Sequence, residues 1–321
     1  MSRQAEAQRH DGVDGAAWNR AGGDDADLVA GLNAARGRGV RVLFDDRRAT
    51  GFALSYRSAP DLCERLARFR RYCFGRTAVT TSEPYDLDRY DETYDQLVVV
   101  DKRRRALLGG LRLGIGAKLT GSGEDDRFYS ARYWRFTEPM RRMAPRGADI
   151  GRVWIHPAYR KSTYGLALLW KGLATVLLAP GDGLSPCLYA FGSTPLTGFP
   201  KAQAELIVAY LARHHRVRED LVVPRRSLMA AGYADPAGID IPSLGGGDGS
   251  RIDMVPLAPL DRALMARDSN CRTPVLLRQY IKLGALLGGD FAWDEEGRRV
   301  VGLTFFPRTV LAAATARFSA L

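Results

Sequence analysis

Apolar positions concentrate in residues 150–155, where Ile150, Val153, Trp154 and Ile155 predict a strand whose residues alternate faces. His156-Pro157 ends it, because proline has no N–H to give to a ladder. A basic, hydroxylated loop follows, Arg160-Lys161-Ser162-Thr163, with a glycine at 165. From about Tyr164 the spacing becomes helical, with Leu166, Leu169, Trp170, Leu173 and Leu177 on one stripe and only Lys171 charged. So apolar a helix is predicted to lie against a sheet. Strand, small-residue loop and helix N-terminus together present free backbone N–H groups and a positive dipole end, suited to a phosphate or pyrophosphate. An ordinary βα unit with a polar connection shows the same pattern, and these residues alone leave both readings open.

Upstream, Leu62, Leu66, Phe69 and Cys73 share one face of a predicted helix that Asp61 can cap, with arginines between them. Residues 75–95 lack periodicity but gather acids and tyrosines, among them Asp86, Asp88, Tyr90, Asp91 and Tyr94. A loop of that length and chemistry points to function. Residues 97–100 and 106–113 read as a hairpin around the basic turn 102–105, with Gly109-Gly110 marking a bulge or a close approach. Downstream come a strand at 187–192, a helix at 202–213, and a poorly patterned stretch from 217 to 272. A helix opening at Thr273-Pro274 and running to about 287, then a last strand at 298–306, close the chain. The order predicts an α/β fold, a mixed central sheet flanked by helices, with 217–272 inserted before the last helix and strands. One domain is expected over 56–310, between a C-terminal tail at 311–321 and a largely disordered N-terminal tail at 1–55. Within that tail a weak helix near 26–35 is expected, and 40–52 reads either as one strand or as a tether.

Composition narrows the class. Hydrophobic residues at 46% and charged residues at 26% are ordinary globular values. No run of 18 apolar residues predicts a membrane span, and the polar start lacks the apolar core of a secretory signal. The expected location is cytoplasmic, at most peripheral at the inner face of the membrane. Four scattered cysteines and four histidines offer no metal-ligand spacing. Net charge is +11, yet residues 1–50 hold eight basic and eight acidic side chains, so the excess lies beyond them. Basic clusters at Arg68-Arg70-Arg71, 102–105, 132–146 and Arg225-Arg226 suit nucleic acid, an anionic membrane or an acidic protein. No aromatic–basic stacking array or helix-turn-helix pattern supports nucleic acid.

Several stretches together carry a family resemblance. Arg71-Tyr-Cys-Phe74, the acidic run Asp86 to Asp91, Gln96 to Asp101 and Gly110-Leu-Arg112-Leu resemble the first half of the GNAT-like, ornithine-lipid-type N-acyltransferases. That hemolysin-related family is akin to the N-acyl amino acid and acyl-homoserine lactone synthases. Asp149-Ile-Gly-Arg152 followed by His156-Pro157-Ala-Tyr159-Arg160 resembles its Glu-x-x-Arg strand and His-Pro-x-Tyr-Arg loop. Leu169-Trp-Lys-Gly-Leu173, Tyr189-Ala-Phe-Gly-Ser193 and the helix from Pro274 through Tyr280 to Gly284 resemble three later family motifs. Asp149 stands where the family has glutamate, Gln96 where histidine is common, and Ser193 comes early.

The resemblance implies transfer of a fatty, in some relatives 3-hydroxylated, acyl group from a phosphopantetheine thioester to the primary amine of an amino acid. The thioester is a co-substrate on acyl carrier protein or CoA, and no tightly bound cofactor is expected. Arg160, Lys161, Ser162, Gly165 and Arg71 would hold the phosphopantetheine and its carrier, with Arg68 at the docking face. A backbone N–H of strand 150–155 would face the thioester oxyanion. Asp149, with Asp88 and Asp91 as alternatives, would take the proton of the attacking amine. Arg112 and Arg152 would bind a substrate carboxylate, beside Phe74, and Tyr280 or Ser193 would protonate the leaving thiolate. Two other readings stay open: an acyl-homoserine lactone-type synthase using S-adenosylmethionine, and a non-catalytic basic module for membranes or nucleic acid.

Overall fold

The computed structural model describes residues 25–75, 86–119, 125–160, 164–181, 183–241 and 256–319. The chain divides into two compact units, one of Met1–Tyr129, Ala144–Ala190 and Leu311–Leu321, the other of Ser130–Met143 and Phe191–Val310.

In the first unit, helix α1 (Asp25–Ala34) precedes strands β1 (Val40–Asp45) and β2 (Ala49–Ser55). Helix α2 (Pro60–Phe74), strands β3 (Asp95–Asp101), β4 (Ala106–Ile115) and β5 (Gly147–Ile155), and helix α3 (Tyr164–Leu178) complete it. The five strands lie antiparallel in the order β1-β2-β3-β4-β5. Side chains alternate across the sheet. Val98 and Val100 turn to one face, where Phe52 and Leu54 join them against Leu28, Leu32, Leu66 and Phe69 of α1 and α2. Leu97 turns to the other face, where α3 lies close because Gly172 has no Cβ; one there would come within 3.2 Å of Leu97. Gly165 does the same against Leu108, at 2.7 Å.

Three expectations change here. Residues 25–55, expected as tail, fold: Leu28, Val29, Leu32 and Val40 are buried in the same cluster as Leu66 and Phe69. Their partners lie far along the chain, so local pattern understates them. Helix α2 begins with Pro60 in its first turn and Ala59 at the cap, so Asp61 sits inside the first turn rather than capping it. The expected C-terminal tail is largely the helix Arg308–Ser319.

The second unit holds β6 (Tyr189–Leu196), α4 (Lys201–His214), α5 (Ala258–Arg267), α6 (Val275–Lys282) and β7 (Arg299–Pro307). Strand β7 neighbours β6 and takes Ala292–Asp294 and Leu286–Leu287 as antiparallel partners. Its core is aliphatic, with Leu206, Ile207, Leu211, Leu260, Leu264, Leu277 and Val300 all buried. The stretch read as an insertion supplies α5 to that core, and its strand Val222–Pro224 pairs with Trp134–Phe136. The helix expected to reach 287 stops at Lys282, because Gly284 takes φ 90° and turns the chain into the short strand at 286. Among the described residues no helix is long and apolar enough to cross a membrane.

Candidate active site

The first unit buries a network of charges between α2, the segment 86–92, β3, β4 and β5. Arg112 of β4 has no exposed surface. Its Nη1 donates to Asp88 Oδ1 at 2.6 Å and to Asp91 Oδ2 at 2.7 Å, and Nη2 reaches Asp88 Oδ2 at 3.1 Å. The rings of Tyr129, Tyr94 and Tyr90 stand 5.1, 5.4 and 5.7 Å from its guanidinium carbon. Arg70 of α2 is 2% exposed and donates to Asp86 at 2.7 Å, to Asp91 at 3.1 Å and to Gln96 at 3.1 Å. Gln96 in turn donates to Asp91 at 2.8 Å. Arg152 of β5 bridges Asp88 at 3.1 Å and Asp86 at 3.2 Å.

Three arginines thus face three aspartates, and the buried charges cancel. Burial pushes the Asp88 carboxyl up, but the Arg112 guanidinium more than offsets this and holds it below its ordinary value. Burial likewise opposes the charge on Arg112, and Asp91 and Asp88 outweigh it and raise that pKa. The segment is fixed locally as well. Asp88 caps the short turn Arg89–Glu92 by accepting from Tyr90 N, and Asp91 accepts from Asp88 N, a reciprocal capping box.

A fourth carboxylate stands beside this network. Asp149 of β5 is fully buried and accepts from the Tyr94 hydroxyl at 3.0 Å, and that oxygen accepts from Tyr129 N at 2.7 Å. Burial, with Asp149 adjacent, holds the Tyr94 phenol well above its ordinary pKa. Glycine makes the contact available. Gly114 pairs with Asp149 across the ladder, and a Cβ on it would sit 2.4 Å from the Tyr94 ring. Arg112 pairs with Gly151, so Arg112, Gly114, Asp149 and Gly151 share one face of the sheet. Gly151 is buried, yet a Cβ on it would meet no described atom within 4 Å, so there is unfilled space beside Asp149.

Strand β5 is bulged at this point. Gly110 pairs with Trp154 and Arg112 with Gly151, which sets Arg152 and Val153 opposite the single Leu111. Arg152 adopts φ 51°, a left-handed conformation costly for a side chain of its size, and so reaches Asp86 and Asp88. The strand then ends in the turn Pro157–Tyr159, capped by His156, whose Nδ1 accepts from Ala158 N at 3.0 Å. The His156 ring stacks on Phe69 at 5.6 Å, and burial, then Arg160, lowers its pKa. Arg160 donates to the carbonyls of Cys73 and Ile155, tying this turn to the end of α2. Helix α3 starts immediately after, at Tyr164.

Of the residues singled out from the sequence, Asp88, Asp91, Arg112, Arg152 and Asp149 are brought together. Arg112 gives both terminal nitrogens to Asp88 and Asp91 and is fully buried, its Nε unpartnered, so it has no exposed surface for a substrate carboxylate. The Arg152 side chain keeps 19% of its surface exposed, though it pairs with Asp86 and Asp88. Phe74 is half-buried at the end of α2, and Arg71 donates to Gly75 O of the same helix end at 3.3 Å. Gly165 opens α3 against Leu108; Lys161 and Ser162 lie outside the described residues. Ser193 and Tyr280 belong to the second unit. There Tyr280 is buried with its ring 5.2 Å from Phe306, and burial pushes its phenol up. The sequence reading missed Arg70 and Tyr94. Arg70 sits seven residues after Cys63 and four after Leu66, on the apolar stripe of its helix, and that position is the signal.

No curated protein matches the chain. Among solved structures it is similar to the CoA-dependent acyl-homoserine lactone synthase MesI, at 11% identity and TM-score 0.41, covering 84% of this chain and 94% of that one. It is also similar to the CoA-dependent acyl-homoserine lactone synthase BjaI with SAM and isopentyl-CoA, at 13% identity and TM-score 0.40, covering 83% and 88%. Residues 65–171 match the family model of the acetyltransferase (GNAT) domain, a span running from α2 through the charge network and the bulged strand into α3. The mixed α/β fold around that segment is GNAT-like.

Proposed function

We propose that the chain is an N-acyltransferase that moves a fatty acyl group from a phosphopantetheine thioester to the primary amine of an amino acid. The observation that carries this reading is the bulge at Arg152–Val153, set inside the GNAT match and between the buried Asp149 and the turn before α3. A bulged residue leaves the ladder, so its backbone N–H is available to the thioester oxygen as charge develops there. The start of α3 offers backbone N–H groups, and Arg160 its guanidinium, to the phosphopantetheine phosphate. The amine nitrogen takes the unfilled space at Gly151, beside Asp149. Its nitrogen attacks the thioester carbon, the C–S bond breaks, and the thiol departs with a proton while Asp149 accepts one from the ammonium side. The Asp86–Asp88–Arg112–Arg152 network holds this wall in place, and Arg152 is its arginine with exposed surface for an acceptor carboxylate. The motif resemblance supports an ornithine-like acceptor.

The test is free-thiol release from long-chain acyl thioesters on CoA and on acyl carrier protein, against ornithine, glycine, tyrosine and S-adenosylmethionine. One amino acid that raises the rate, with the N-acyl product seen by mass, is the expected result. Release driven by S-adenosylmethionine with a lactone product would replace the amino-acid reading with the lactone-synthase one. No release by folded protein with any acceptor would sink both.

A further inference from the structure

Two hairpin turns edge the end of the first unit's sheet that carries the turn before α3. The β1–β2 turn has Arg47 and Arg48, the β3–β4 turn has Lys102, Arg103, Arg104 and Arg105, and all six are exposed. They form one surface, because Lys102 N donates to Arg48 O at 2.9 Å and Lys102 Nζ to Asp46 O at 2.7 Å. The turn at 157–159 rests on it: the Tyr159 hydroxyl donates to Asp101 at 3.0 Å, and Arg104 lies 5.3 Å over the Tyr159 ring.

The acids of this rim are engaged within it. Asp45 pairs with Lys102 at 2.6 Å and Arg36 at 3.0 Å, and Asp46 with Lys171 at 3.3 Å. Asp101 accepts from Tyr159 and from the backbone N–H groups of Arg103 and Arg104. Arg47, Arg103 and Arg105 make no ion pair among the described residues. Unanswered like charges on adjacent turns repel one another and do nothing for the fold, so their use lies outside the molecule. The partner is acidic. Among the described residues, the exposed large apolar side chains of the first unit are Val42 and Leu178, neither in these turns, so the turns themselves present nothing to insert into lipid. Arg71 and Arg160, residues also expected to dock a carrier, each give a donor to the end of α2.

We propose that the turns at 46–48 and 102–105 are the docking surface for an acidic carrier protein, which presents its acyl thioester arm to the turn before α3. This rests on the acyl-transfer reading above. Charge complementarity of this kind acts mainly on encounter and is screened by salt.

The test compares R47E/R103E with wild type, using the same acyl chain on CoA and on purified acyl carrier protein. Neither residue touches the network or the bulge. Expected is a rise of about tenfold in KM for the carrier-borne donor, shrinking as salt is added, with kcat and the KM for acyl-CoA unchanged. An unchanged carrier KM, or an equal fall with both donors, overturns the proposal. Should neither donor release thiol, the acyl-transfer reading fails, and binding of the unacylated carrier to wild type and variant decides the docking surface by itself. Carrier binding lost in the variant upholds it; no carrier binding by wild type overturns it. Binding to phosphatidylglycerol vesicles that needs Arg47 and Arg103, without carrier binding, would assign the rim to a membrane instead and also overturn it.

Discussion

The two units bury different things. The second closes over leucine, isoleucine and valine from α4, α5 and α6. The first sets three arginines and four aspartates into its interior, with Tyr94 and Gln96 closing the hydrogen bonds. Aliphatic burial yields roughly 25 cal/mol per Å² with no demand on direction. Buried charges are different, because their desolvation is repaid only when each has its partner in good geometry. An aliphatic core would therefore serve stability as well or better. The charged one fixes the positions of Asp88, Arg152 and Asp149 around the unfilled space at Gly151, and fixed positions are what a reaction site requires.

The sharpest way to break this comparison is to remove one partner from each core. Arg112→Met keeps the bulk but strands Asp88 and Asp91, and a loss of about 3–5 kcal/mol is expected in urea unfolding. Leu260→Ala, in the second unit, is expected to cost about 2–5 kcal/mol through its cavity alone. If Arg112→Met costs under about 1 kcal/mol, the first core is not held by its charges.

Acid separates the units next. His215, buried in the second unit with Nε2 unpartnered, has its pKa pushed down to about 4 by burial and then by His214. Its neutral form suits the fold, so its contribution is full above the unfolded value of about 6.5 and is lost as pH falls from there toward 4. The loss is on the order of 3 kcal/mol. The depressed Asp88 carboxyl has its stability in place above the unfolded carboxylate value of about 3.9, and loses it only as pH falls below that. Tryptophan fluorescence and hydrogen exchange across pH 7 to 3 should show the second unit loosening first. Simultaneous loosening, or the first unit leading, contradicts the assignment.

Asp149→Asn tests chemistry rather than packing. It is nearly isosteric at a buried site, and thiol release is expected to fall about a hundredfold with the melting temperature little changed. A variant that keeps its rate removes Asp149 from the proton path. Smallest is Gly151→Ala, which has room for its methyl group and should leave stability unchanged. The KM for the amine should rise several-fold, on the order of 1 kcal/mol, while that for the thioester holds. A rise for the thioester alone would place the amine elsewhere.

Much of the fold is visible in the residues. The hairpin across 97–113, the strand, turn and helix from 150 to 177, and the helix at 202–213 each follow from a period that local sequence states in full. The site is half visible. Asp88, Asp91, Arg112, Arg152 and Asp149 stand out as chemistry-bearing residues, but Arg70 reads as one member of a surface cluster. Burial on the apolar stripe of α2 becomes affordable only because Asp86 and Asp91, sixteen and twenty-one residues away, come back to meet it.

The sequence by itself determined the period of each long element, the basic excess, and the order of motifs from Arg71 to Gly284. Tertiary structure alone decided that residues 25–55 join the core, that Arg112 faces inward to aspartates, and that Arg152 takes a left-handed bulge. The physical reason is reach. Periodicity is set by neighbours three or four residues apart, whereas the partner that neutralises a buried charge or covers an apolar face is supplied by distant strands, and no local pattern records it.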